Sequence, residues 1–156
     1  MNDELKITQR HLPHWQLSGS YYFVTFRAIS GDMSDKEKEL VLKHILSGND
    51  RFYELFAAVI MPDHVHIILR PLEDYGLSRI MQGIKGPTSY KINMMRRRTG
   101  PFWQTESFDR IIRDDNEFLE KANYIINNPI KSGLVENLSD FPFLYIKDIN
   151  SIRKRY

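Results

Sequence analysis

Hydrophobic and polar positions along the chain fall into short blocks of two kinds, strand-like runs and stripes at helical spacing. The segment GSYYFVTFRA, residues 19–28, is aromatic and β-branched and lies between a glycine and the turn-rich ISGDMSD, so it predicts a strand. In SDKEKELVLKHILSGND, Leu40, Val41 and Ile45 make an apolar stripe. Ser34 and Glu37 stand at capping-box spacing before it and Gly48 closes it, which predicts a helix. RFYELFAAVIMP, residues 51–62, is apolar on both faces, and the pattern resumes after Pro62-Asp63 in HVHIILRP; two strands joined by a tight turn are expected. GLSRIMQGIKGPTSYKINMMRRR is helical in composition, with Gly86-Pro87 expected to kink it or to start a new helix. GPFWQTESFDRIIR, residues 100–113, reads as a strand with an irregular start. Asp114 and Glu117, again at capping-box spacing, open a helix through FLEKANYIINN that Pro129 is expected to end.

The order is therefore β-α-β-β-α-β followed by one more helix, with no internal repeat. This predicts an α+β protein with a ferredoxin-like βαββαβ antiparallel sheet and an additional C-terminal helix. Two helices would cover one face of the sheet and leave the other for a ligand or the extra helix. At 156 residues the chain suits a single domain, 1–156, and its tail from about residue 138 supports no clear element.

Composition narrows the chemistry. There is no cysteine, so a disulfide framework and a cysteine zinc site are both excluded, in keeping with a reducing, cytoplasmic setting. Any metal must be held by His, Asn, Gln or carboxylates. The longest apolar run, LFAAVIMP, is far short of the roughly 20 residues that span a bilayer, and no membrane association is expected. The net charge is only +2, but basic residues concentrate in KINMMRRRTG and in the terminal SIRKRY.

Two histidines interrupt the apolar run AVIMPDHVHIILRP. Alternation along a strand turns His64 and His66 to one face and Val65 and Ile67 to the other, so the two imidazoles stand side by side as a metal requires. A hydrogen-bonded pair at a partly solvated edge is the competing reading. On the last helix Phe118, Leu119, Ala122, Ile125 and Ile126 form an apolar stripe, and Tyr124 and Asn128 lie roughly 120–160° from its centre. They share the polar face with Glu117 and Lys121. A tyrosine used for packing belongs on the stripe, so the position of Tyr124 points to another use.

MPDHVHIIL, GPFWQTESFDRIIR and YIINNPIKSGLV, together with LPHWQLSGSYYFVTFR near the start, resemble the single-tyrosine HUH transposases, and most closely their REP-associated group. The resemblance spans roughly residues 10 to 135 and keeps motif order. It implies a ferredoxin-like domain with His64 and His66 as the HUH pair, Tyr124 as the nucleophile, Asn128 as the third ligand, and a divalent metal, magnesium or manganese. It further implies cleavage and rejoining of single-stranded DNA near hairpins through a 5′-phosphotyrosine, with repetitive palindromic elements as the DNA. Asp63 stands where the family commonly has Asn, and alternation is expected to turn it away from the histidines.

DNA needs cations and stacking surfaces. Lys85, Lys91, Arg96, Arg97, Arg98, Arg110, Arg113 and Lys121 are candidate contacts. Trp103 and Phe108 are aromatic candidates for base stacking, with the core the preferred place for Phe108. Two other functions stay open from the residues alone. One is a non-catalytic nucleic-acid-binding module of the same fold. The other is a metal-dependent phosphoesterase, although the third alternating position of a histidine triad is Ile68. The resemblance implies either a monomer or a dimer that exchanges the tyrosine helix; the short segment before Asp115 favours Tyr124 serving its own subunit.

Overall fold

The computed structural model describes residues 19–147. In chain order these form β1 (Tyr22–Arg27), α1 (Asp35–Ser47), β2 (Tyr53–Ile60), β3 (His64–Pro71), α2 (Leu77–Arg96), β4 (Phe108–Ile111), α3 (Asp115–Lys131), a 3-10 turn (Leu138–Asp140) and β5 (Leu144–Ile146). The strands make one sheet in the order β4-β1-β3-β2-β5, every neighbouring pair antiparallel. Its first four strands have the expected ferredoxin-like connection. The fifth, from the tail that supported no assignment, adds to the free side of β2.

The sheet is covered on both faces. Val24, Phe26, Val65, Ile67 and Leu69 pack against α1 and α2 through Val41, Ile45, Ile80, Ile84 and Ile92. Phe23, Val59 and Ile68 pack the other way, against Phe118, Ala122, Ile125 and Ile126 of α3. The alternation read from HVHIIL is thus realised, with Val65 and Ile67 in one core and the histidine face in the other. β2 serves both cores through a bulge: Leu55 pairs with Leu69 and Ala57 with Ile68, so Phe56 is an extra residue. Phe56 and Ala57 both face α3, and the Phe56 ring meets Phe118 edge-on at 4.7 Å. The uninterrupted apolar character of LFAAVI follows from this doubling.

Local signals hold with three corrections. The Ser34 hydroxyl accepts from the Glu37 amide and the Glu37 carboxylate accepts from the Ser34 amide, a complete capping box. Gly48 ends α1 in ordinary right-handed geometry; its need is space, because a Cβ there would lie 2.5 Å from the Tyr53 hydroxyl. The first correction is α2, where Leu77–Arg96 is one helix with Pro87 inside it, so no new helix starts there. A proline at this position cannot donate to the Gly83 carbonyl, and His44 of α1 approaches that oxygen with Nε2 at 2.7 Å instead. The second is α3, which passes through Pro129 and ends at Lys131, followed by the Ser132 cap. The third is its N-terminus: Asp114 accepts from the Glu117 amide, but the Glu117 carboxylate pairs with Arg110 rather than returning to the cap.

Candidate active site

The register of β1 against β3 builds the site from opposed pairs. Arg27 lies across from His64, and Thr25 from His66. The histidine rings are 4.8 Å apart between centroids. Both have their Nδ1 engaged: His64 Nδ1 is 2.7 Å from Asp63 Oδ1, and His66 Nδ1 is 2.7 Å from Thr25 Oγ1. Asp63 therefore does not turn away from the histidines as strand alternation suggests. It lies in the turn before β3, outside the pleat, and its carboxylate reaches its neighbour's ring.

His66 is 3% exposed, and its Nε2 is buried without a partner among the described residues. Burial drives this imidazole down to about 3, and the positive charge of nearby His64, Arg27 and Lys121 acts in the same direction. A neutral ring whose Nδ1–H donates to the Thr25 hydroxyl keeps a lone pair on Nε2, the form that ligates a metal. The orphaned nitrogen fits the divalent ion that the family resemblance implies. Among the described residues no three His, Cys, Asp or Glu side chains gather into a group that could hold a metal.

α3 lays Tyr124 beside His66. Its ring is 5.2 Å from that of His66 and 6.2 Å from that of Phe23. At 45% exposure it is held at the surface rather than in the core. Tyr124, His66 and Thr25 line one cavity of about 600 Å³, together with Phe108 and, from α3, Asn127 and Lys131. Arg27, Lys121 and Asn123 also reach it. Asn128 is half-buried one residue beyond Asn127 and is not among the lining residues; its backbone carbonyl accepts from the Ser132 amide. Asn127 donates Nδ2 to the Asn123 carbonyl and leaves Oδ1 buried with no partner among the described residues.

The candidate DNA contacts separate into committed and free groups. Lys85 is anchored to the carbonyls of Gln104 and Thr105 and to the Ser107 hydroxyl, at 2.7, 3.1 and 3.1 Å, so it clamps the loop before β4. Arg96 holds both carboxylate oxygens of Glu37 at 2.6 and 2.9 Å and the Asp32 carbonyl. Arg110 is paired with Glu117. Lys91, Arg97, Arg98 and Arg113 are exposed, and Lys121 stands over the Phe23 ring at the cavity. The aromatic expectations reverse. Trp103 is 3% exposed, edge-on to Phe26 and Phe102, with its indole N–H donated to Thr88, whereas Phe108 is 59% exposed. The irregular start of that segment explains the exchange: Trp103 bridges to Ala28 on the α1/α2 side, and β4 begins only at Phe108, opposite Thr25.

Sequence reasoning missed Thr25, Arg27, Asn127 and Lys131. Pairing YFVTFR antiparallel to HVHIIL would have placed the first two opposite the histidines. Asn127 and Lys131 follow Tyr124 by three and seven residues, positions that share its side of a helix.

A family model described as Transposase IS200 like matches residues 20–128, well over half of the chain. The chain belongs to the IS200-like transposase family. Within that family it is 28% identical over 101 residues to a REP-associated tyrosine transposase of Haemophilus influenzae, covering 58% of this chain and 57% of the relative. It is 30% identical over 95 residues to the REP-associated tyrosine transposase of Escherichia coli K12, covering 60% and 54%. The matched stretch thus spans about half the length of these curated relatives. In fold, the IS200-like chain is similar to a solved REP-associated tyrosine transposase bound to a REP hairpin, with a TM-score of 0.71 at 24% identity over 88% of this chain and 82% of that one. Among the described residues no helix is long and apolar enough to cross a membrane.

Proposed function

We propose that this IS200-like transposase cleaves and rejoins single-stranded DNA beside hairpins, with Tyr124 as the nucleophile. The observation that carries the reading is the placement of the Tyr124 ring 5.2 Å from His66 within one chain. The Tyr124 phenolic oxygen bonds to a backbone phosphorus, and the bond from that phosphorus to the 3′-oxygen breaks. The phenolic proton passes to solvent and the released 3′-oxygen takes one up. The product is a 5′-phosphotyrosine and a free 3′-hydroxyl. Since the phosphotyrosine retains a diester bond, a second 3′-hydroxyl can attack it and join new strands without ATP.

His64, His66 and Asn128 are the residues assigned to a divalent metal, magnesium or manganese. Bound there, it would polarise the scissile phosphate and stabilise charge on the leaving oxygen. The unpartnered His66 Nε2 supports this assignment. Thr25 and Asp63 orient the two rings by holding Nδ1. Arg27, Lys121 and Lys131 offer positive charge to the strand. A hairpin as partner rests on family membership and on the REP hairpin bound to the similar solved transposase.

The test is incubation with labelled single-stranded DNA carrying hairpins, with magnesium or manganese, followed by denaturing electrophoresis. A covalent adduct is expected that disappears with Tyr124→Phe and with chelator. An adduct that survives Tyr124→Phe overturns the nucleophile; cleavage that never passes through an adduct overturns the transesterification.

A further inference from the structure

The cavity beside Tyr124 holds two features that attack on a phosphate does not use. Phe108 exposes 59% of its surface at the cavity wall, although burial of a phenylalanine side chain stabilises a fold. It is held there by register. Phe108 pairs with Thr25 on β1, and its strand continues through the paired Arg110 and Ile111, so its direction is set by the pleat. The second feature is the Asn127 carboxamide. Asn127 lines the same cavity and is 9% exposed; its Nδ2 is committed to the Asn123 carbonyl, and its Oδ1 is buried and without a partner among the described residues. A buried amide oxygen without a donor is destabilising. The remaining cavity residues supply Arg27, Lys121 and Lys131 against the single carboxylate of Glu120.

Together these describe an apolar ring face, one hydrogen-bond acceptor and a cationic surround, in a cavity of about 600 Å³. That is the chemistry of an unstacked nucleobase on a phosphate backbone. We propose that this cavity is a nucleobase pocket, in which Phe108 stacks the base of a nucleotide next to the attacked phosphate and Asn127 Oδ1 accepts from its exocyclic amine. The inference rests on the reading of the chain as a single-strand transposase and adds to it a contact to a base. Because its Nδ2 is already donated, Asn127 offers only an acceptor. The pocket therefore prefers cytosine, which presents an amine at ring position 4, over thymine, which presents a carbonyl there.

Binding to Tyr124→Phe protein measures this without any cleavage. The probes are fluorescent single-stranded dC and dT oligonucleotides and an abasic strand of equal length. Aromatic stacking is worth about 1–3 kcal/mol per base, so Phe108→Ala is expected to weaken dC about 5- to 100-fold and to leave the abasic strand unchanged. Phe108→Trp is expected to restore dC binding. Tighter binding of dC than dT is expected, and Asn127→Leu should close that gap. Equal loss for dC and abasic strands with Phe108→Ala, or failure of Phe108→Trp to restore dC, overturns the stacking role. Absence of a dC preference, or one indifferent to Asn127→Leu, overturns the acceptor. Adduct formation by the wild-type chain is scored separately, so a failed pocket and a failed nucleophile give different results.

Discussion

The Tyr124 ring stands 5.2 Å from the His66 ring of the same chain, the two planes at 72°. One subunit thus carries both Tyr124 and the histidines in this arrangement, as the short connection before α3 suggests. Mixing Tyr124→Phe chains with His66→Ala chains should therefore give no more covalent adduct than either alone. Recovery of adduct in the mixture would mean that α3 crosses between subunits during the reaction.

Much of this arrangement was legible because it depends on short-range rules. The alternation of His64, Val65, His66 and Ile67 set the two faces, and the stripe from Phe118 to Ile126 set α3. What remained hidden depends on contacts far apart in sequence. Nothing near Trp103 says that its indole meets Thr88, or that Phe108, five residues on, faces outward. Lys85 and Arg96 look like surface cations until the carbonyls and carboxylate that hold them arrive from elsewhere. Pro129 did not end α3, and Pro87 did not start a new helix, because a helix tolerates a missing amide when other packing holds it; the His44 contact to Gly83 is 39 residues distant in sequence.

The three bonds of Lys85 make it a loop clamp. Lys85→Met is expected to lower unfolding stability by about 1–3 kcal/mol, since it leaves two carbonyls and a hydroxyl without their donor. It should barely change the salt dependence of DNA binding. Arg97→Ala with Arg98→Ala should do the reverse, holding stability within about 0.5 kcal/mol and flattening the slope of log K against log salt. Denaturant unfolding and a salt titration separate the two roles.

Acid should weaken the metal-free fold through His66. Its native imidazole is pushed to about 3 from an ordinary 6.5, so between these values the unfolded chain binds a proton that the native ring does not. The stabilisation is complete above about pH 6.5 and is lost as pH falls toward 3. Thermal unfolding of wild type and His66→Gln from pH 7 to pH 4 tests this. The pH dependence should be shallower in the variant, and parallel curves would contradict a buried neutral imidazole.

Pro87 and His44 should be thermodynamically coupled. His44→Ala in the natural sequence leaves the Gly83 carbonyl without its partner and should cost about 1 kcal/mol. With Pro87→Ala in place, the restored amide can take the Gly83 oxygen, and the same His44→Ala should cost less. A double-mutant cycle by denaturant unfolding reads the coupling, and strictly additive effects would show that the histidine contact does not substitute for the missing helix bond.

The bulge in β2 bears on how this transposase could be adjusted over evolutionary time. Phe56 is one residue more than the ladder needs, and it adds a second α3-facing side chain without changing which face the flanking residues present. Removing it would leave the histidines, the hairpin and the register beyond it in place while taking away the ring that meets Phe118. A single codon, for a side chain outside the lining of the Tyr124 cavity, thus bears on how firmly the helix that carries Tyr124 is seated.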